Sequence, residues 1–344
     1  MSIVTLRAGS WLSVPVRPRS VAVGVSMLFG LLVIAVLSLT LGRLGLAPSE
    51  VIPALAGAAT GRDAIVFDTL RGPRLAVGIA AGAAFGVAGT LFQTVTRNPL
   101  GSPDIIGLSA GASAGAAAFG LLWTGILPLP LGALVGAGVA MALVFLGTGR
   151  GFSSPSRMLL VGIGVSAMAL AFVQFVIARI GREQATVLAA YLNGSLASRS
   201  WDHATTIWIS LAVLLPCALA LSRRLQLTEM GDEQADTLGA QSAAARILAV
   251  LVGIGLATAA VSVVGPVAFI ALTAPQIARR LSRSPGPNTV LSALTGAALL
   301  ALADLLVQQL PGDVQLPVGV LTACLGGIYL GYLLISHWKK GTLA

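Results

Sequence analysis

Charge is what this chain has least of. Only 10% of its 344 residues are charged, 56% are hydrophobic, and the mean hydropathy is +0.93. A soluble domain carries about a quarter charged residues, so this composition cannot clothe a water-facing surface. Lysine is almost missing. Its two copies, Lys339 and Lys340, sit in the C-terminal tail, which excludes a Walker A loop to hold phosphates. The run Gly147-Thr148-Gly149-Arg150-Gly151 is glycine-rich without that motif and reads as a turn. Histidine is as scarce: His203 and His337 stand alone, so neither a metal site nor a Ser/His/Asp constellation is visible. Cys217 and Cys324 lie in apolar runs, without metal spacing and with no reason to pair. Aromatics are 5% of the chain. With so few rings to stack bases and no basic face, the net charge of +9 does not indicate nucleic acid.

What remains is a membrane protein. A span needs about 20 apolar residues. Ten candidates follow one another at 21–41, 74–95, 105–124, 129–148, 157–180, 203–222, 243–263, 266–279, 289–310 and 315–336. The 41 glycines lie among Ala, Leu and Val, as suits closely packed membrane helices. The 266–279 segment is short and bracketed by Pro266 and Pro275, which predicts a tilted or protein-enclosed helix. Threading ten spans leaves Arg43, Arg62, Arg71, Arg74, Arg179, Arg182 and Arg199 on one side, seven of the 21 basic residues. The other fourteen fall on the side that holds both ends, which the positive-inside rule makes cytoplasmic. The expectation is one transmembrane unit over 1–344, all-α, with a polar cytoplasmic lead at 1–20 that is no cleavable signal peptide.

Acidic residues single out three places. Asp304 is clearly within a span, where a carboxylate either packs helices through hydrogen bonds or lines a path. Asp104 sits at the cytoplasmic start of a span, where a helix N-terminus favours it. The cytoplasmic segment 225–241 holds Glu229, Asp232, Glu233 and Asp236 at i, i+3, i+4 and i+7, one face of a helix ending at Gly239. Such a helix either lies solvated at the interface or docks a cytoplasmic partner.

Gly231-Asp232-Glu233-Gln234-Ala235-Asp236-Thr237-Leu238-Gly239 resembles the G-[DE]-E-x-A-x-x-L-G loop of the FecCD family, permeases of binding-protein-dependent ABC importers for iron–siderophores, haem and cobalamin. Arg97-Asn98-Pro99-Leu100-Gly101-Ser102-Pro103-Asp104-Ile105-Ile106-Gly107 resembles that family's signature between its second and third helices. Gly265-Pro266-Val267-Ala268-Phe269-Ile270, Ala274-Pro275-Gln276-Ile277-Ala278-Arg279-Arg280 and Leu316-Pro317-Val318-Gly319-Val320-Leu321-Thr322 are similar to its later motifs. The likeness runs in order from about residue 30 onward and implies a type II (cobalamin/siderophore-type) importer permease fold.

The resemblance implies roles residue by residue. Glu229, Gly231, Asp232, Glu233, Ala235, Leu238 and Gly239 belong to the loop that couples to the ATPase. Asn98, Pro99 and Leu100 map onto one cytoplasmic gate; Ser154, Pro155 and Ser156 map onto the other, a purely structural turn being the alternative. Asn98-Pro99 forbids a continuous helix, which suits a gate lining a cavity. Arg71 and Arg74, in Arg-Gly-Pro-Arg, would receive carboxylates of the binding protein, with snorkelling to the interface as the alternative. Two departures stand out: Gln308 replaces a further arginine, and Gln276 a usual histidine.

The implied assembly has two ATP-binding subunits in the cytoplasm, which hold the ATP and Mg, a second and different permease chain, and an extracytoplasmic siderophore-binding protein. This chain would carry no cofactor or metal and would not itself be an enzyme. It would sit in the bacterial cytoplasmic membrane, in contact with lipid. The Ser-Pro-Asp form of the signature, Glu229-Met230-Gly231-Asp232, Gln308-Gln309-Leu310 and Leu325-Gly326-Gly327-Ile328-Tyr329-Leu330 resemble the ferric-enterobactin branch, which implies a catecholate ferric siderophore. Haem or cobalamin import remains the alternative within the family. An ion-coupled secondary transporter is the alternative outside it, opposed by the near absence of mid-membrane charge.

Overall fold

The computed structural model of the chain describes residues 4–8, 12–42, 44–149, 155–181, 188–189, 191–310 and 316–338. Every apolar segment read from the sequence becomes a helix. They are α1 (Pro18–Thr40), α4 (Gly72–Thr96), α5 (Leu108–Ala117), α6 (Leu129–Gly147), α7 (Pro155–Arg179), α8 (Trp201–Thr228), α10 (Ser242–Val264), α11 (Ile270–Ser282), α12 (Thr289–Gln309) and α13 (Val318–Trp338). Short α2 (Val51–Leu55) and α3 (Gly61–Ile65) fold the 42–73 stretch, and α9 (Asp232–Thr237) lies between α8 and α10. Among the described residues seven helices are long and apolar enough to cross a membrane, with two shorter apolar ones at Leu108–Leu122 and Val318–Tyr332. The N-terminal lead was not expected to be regular, yet Val4–Ala8 (β1) pairs antiparallel with Leu12–Val16 (β2).

Helix ends follow local chemistry. Proline stands in the first turn of α1, α4 and α6, where its missing N–H costs nothing. α4 stops at Arg97, which takes a left-handed backbone (φ 50°) ahead of Asn98-Pro99. The 266–279 segment is helical only from Ile270; of the non-helical residues 265–269, Gly265 and Val267 are buried, while Pro266, Ala268 and Phe269 are partly open and line a cavity, a setting in which such backbone is tolerated.

α4 is the axis of the fold, buried along nearly its whole length and packed by α8, α10, α11 and α12. Its crossing with α12 is backbone against backbone: a Cβ on Gly86 would fall 2.1 Å from the Ser292 carbonyl oxygen, and one on Gly82 2.4 Å from that of Gly296. Small residues permit this approach, which gives helices dispersion contact where lipid offers no hydrophobic drive. α1, by contrast, lies on the outside and buries only Leu31, Ser38 and Leu39. The result is that the C-terminal end of α12 stands beside the start of α4, and the end of α4 beside the 228–246 segment.

Candidate functional site

The segment 225–241 is not one helix. α8 runs on through Pro216 to Thr228 and so takes in the first four residues of that segment. Gly231 (φ 109°) then breaks the chain, a backbone that side chains resist, and α9 opens at Asp232. Glu229 therefore belongs to the end of α8, and the single acidic face expected from spacing does not form. The acids divide instead by task. Asp236 caps α10, accepting from the Ser242 N–H at 2.6 Å and its hydroxyl at 3.0 Å. Asp232 accepts from Arg97 at 2.6 Å and from Arg246. Glu229, Met230, Glu233, Leu238 and Gly239 face outward, while Ala235 is buried beneath them. The segment thus presents an exposed rim of acid and apolar side chains on a backbone fixed from below.

The loop after α4 is tightly tied. The Asn98 side-chain oxygen accepts from the Leu100 N–H at 2.9 Å, and the Gly101 N–H reaches the Asn98 carbonyl at 2.9 Å. Gln276, on α11, donates to the Pro99 carbonyl at 2.8 Å, and Gln93 to that of Leu272 at 2.9 Å. Sequence reasoning gave Gln276 no role; its partner is 177 residues away and nothing local marks it. Leu100 is exposed and lines a cavity of about 740 Å³ with Ser102, Asp104, Asn193, Val267 and Phe269. Asp104 keeps part of its surface open to that cavity and accepts from the Ser109 hydroxyl. The surrounding protein pushes its carboxyl above the ordinary carboxylate range, against the pull of Ser109. Of the second gate, Ser154 lies outside the described residues, as do the side chains of Pro155 and Ser156; those two residues open α7.

Two of the sequence motifs meet at the far wall of the cavity, a junction the sequence did not announce. Asn193 and Gly194 thread between Gly265-Pro266 and Gly319: Ser195 N–H bonds the Val264 carbonyl (2.8 Å), and Gly319 N–H that of Gly194 (3.1 Å). A Cβ on Gly319 would lie 1.9 Å from the Asn193 carbonyl oxygen, so the approach requires glycine.

At the other end of α4 lies a polar cluster. Arg74 grips Asp304 with its fork, Nε at 2.9–3.0 Å and Nη2 at 2.7 Å. Gln308, one turn on along α12, donates to Asp304 Oδ2 at 2.6 Å and accepts from Arg71. Arg71 also bonds the Ser38 and Leu41 carbonyls, at 2.7 and 3.0 Å, at the end of α1. The arginines read as a docking pair thus both bond groups of this chain, and Asp304 is held by Arg74 and Gln308. Gln308 suits its place: it both donates to the carboxylate and accepts from a guanidinium, which an arginine cannot do. Among the described residues no group of His, Cys, Asp and Glu that could hold a metal comes together.

Comparison with known proteins covers most of the chain. The profile of the FecCD transport family matches residues 30–336. The ferric enterobactin transport system permease protein FepG of Escherichia coli (strain K12) is 40% identical over 300 residues, covering 87% of this chain and 91% of that one. The Fe(3+)-citrate import system permease protein YfmE of Bacillus subtilis (strain 168) is 34% identical over 313 residues, 90% of this chain and 93% of its own. A solved metal-chelate type ABC transporter in an inward-facing conformation superposes with a TM-score of 0.79 at 24% identity, covering 92% of this chain and 99% of that one, so the fold is shared. With α4, its loop and α9 arranged as described, the chain belongs to the FecCD transport family, a multi-pass permease subunit of the ABC class.

Proposed function

We infer that this chain is the transmembrane subunit of an importer that carries a ferric siderophore, of the catecholate type, across the cytoplasmic membrane. The observation that carries the reading is the pairing of an outward acid-and-apolar rim on the 229–239 segment with a gate-like loop joined to it through Arg97. A chain without a P-loop needs such a surface, because its energy must come from a partner. One ATPase subunit docks there and a second on the partner permease, each holding its own ATP and Mg. A second permease chain completes the path, and a siderophore-binding protein delivers substrate outside. Both termini of this chain are then cytoplasmic.

Catecholate rather than citrate rests on the similarity to the ferric-enterobactin permease, which is six percentage points more identical than the citrate relative (40% against 34%), and on the motifs shared with that branch. Deleting the gene in its host and offering iron as catecholate, hydroxamate, citrate or haem, with labelled cobalamin in parallel, tests it. Loss of catecholate uptake alone, restored by the intact gene, is the expected result. Loss of one of the others instead keeps the importer and replaces its substrate. Uptake that survives without the ATPase and collapses with a protonophore points to a secondary transporter and overturns the reading.

A further inference from the structure

Arg97 occupies an unusual position. It is the residue at which α4 becomes the 98–101 loop, and its backbone is left-handed, a conformation that non-glycine residues adopt in only a few per cent of cases. Its guanidinium turns away from the loop it introduces. Nη2 bonds the Thr228 carbonyl at 2.6 Å, at the C-terminal end of α8 where the helix dipole favours a cation, and the Asp232 carboxylate at 2.6 Å. Arg246, one turn into α10, donates to the same Asp232 oxygen. One carboxylate at the first position of α9 thus joins the end of α4 to the start of α10, and Arg97 ties in the end of α8.

Stability does not explain this arrangement. The side chains of Arg97 and Asp232 are 46% and 42% exposed, and ion pairs so open to water add little to folding. What the three residues fix is position. Arg97 also leads directly into the loop that reaches the cavity. Pro99 is held by Gln276 of α11, and Leu100, three residues beyond Arg97, faces the cavity.

The geometry points to Arg97 as the positioning residue that transmits movement of α9 to the 98–100 loop, through Asp232. Displacing α9 outward carries the Asp232 carboxylate with it and pulls on the one residue where a rigid helix gives way to the loop. The loop, held by Gln276 at Pro99, then turns about that bond and swings Leu100 in the cavity wall. This inference rests on the reading of α9 as the docking element and of 98–100 as a gate.

The test uses the whole importer, with ATPase, partner permease and binding protein, in sealed vesicles, with import and ATP hydrolysis measured on the same preparation. Arg97→Gln removes the link. Hydrolysis should persist within about twofold while siderophore imported per ATP falls about tenfold, a typical size for coupling between sites. Arg97→Lys keeps the charge but not the fork and should fall between. Arg97→Gln with wild-type import per ATP overturns the link while leaving the importer reading in place. Parallel loss of import and hydrolysis in both variants makes Arg97 a structural residue and overturns the link too. Absence of ATP-dependent import by the wild-type complex removes the importer reading, and the link falls with it.

Discussion

Arg74 and Asp304, 230 residues apart, form a two-pronged ion pair whose carboxylate side is only 4% exposed. Arg74 begins the central helix and Asp304 lies near the end of α12, so the pair closes the same crossing that Gly82, Gly86 and Gly296 make at backbone distance. A buried pair gains less than its Coulomb energy suggests, because both ions leave water. Breaking it is different, because one charge is then stranded.

Asp304→Ala should therefore cost on the order of 3 kcal/mol, the low end for a stranded buried partner, since it leaves Arg74 without its anion. The double variant Arg74→Leu with Asp304→Leu should lose less than the single one. Thermal unfolding of the purified chain in detergent reads both. A double variant less stable than Asp304→Ala would show that the pair is worth more than its apolar replacement.

The outward residues of the docking segment should behave in the opposite way. Glu233→Lys and Leu238→Asp change exposed side chains, so stability should move by no more than about 0.5 kcal/mol. Affinity for the ATPase subunit should fall about tenfold or more, as for residues at the centre of an interface. Co-purification and titration of the ATPase against the purified chain measure the loss. Undiminished affinity in both variants would make the segment a linker.

The helices were legible because membrane spans advertise themselves by length and apolarity, and proline and glycine mark their ends. The 225–241 segment shows where this fails. Helical spacing of Glu229, Asp232, Glu233 and Asp236 is the same whether or not Gly231 breaks the helix, and only the positive φ there decides it. Long-range pairs are invisible for a related reason. Nothing near Arg71 or Arg74 tells a guanidinium whether its carboxylate comes from a partner protein or from α12. Within the chain, Arg74 meets the carboxylate of Asp304, while Arg71 meets Gln308 and the end of α1. Likewise Gly265 and Gly319 were noticed as motif residues, but the Asn193–Gly194 turn that needs them both carries no motif of its own.

Asp104 offers a test by pH. Its folded pKa is raised, so between the ordinary carboxylate value and that higher one the folded chain keeps a proton that the unfolded chain has lost. Folding is then most favoured below the ordinary value, weakens as pH rises through the window, and levels off above it. Asp104→Asn removes the titrating group and should flatten that part of the stability profile. Thermal unfolding of both forms across acidic to neutral pH checks this; parallel profiles would show that the carboxyl titrates normally.

The family resemblance implies a histidine at the position of Gln276, and the contact made there asks only for a donor. Its amide donates to the Pro99 carbonyl at 2.8 Å, in a proline-containing loop whose backbone has few other donors to call on. A histidine can present a ring N–H to the same oxygen, so Gln276→His should import close to the wild-type rate. Gln276→Leu has similar bulk but no donor; because Pro99 is exposed, water can take up its carbonyl, and the loss should be about 0.5–1.5 kcal/mol. Part of that loss should appear as leak: with the loop freed from α11, a closed gate no longer depends on the position of α9. Substrate efflux from loaded vesicles without ATP, low in the wild type and in Gln276→His, should rise in Gln276→Leu. Equal efflux from all three would mean that the hydrogen bond holds the loop's shape without controlling passage.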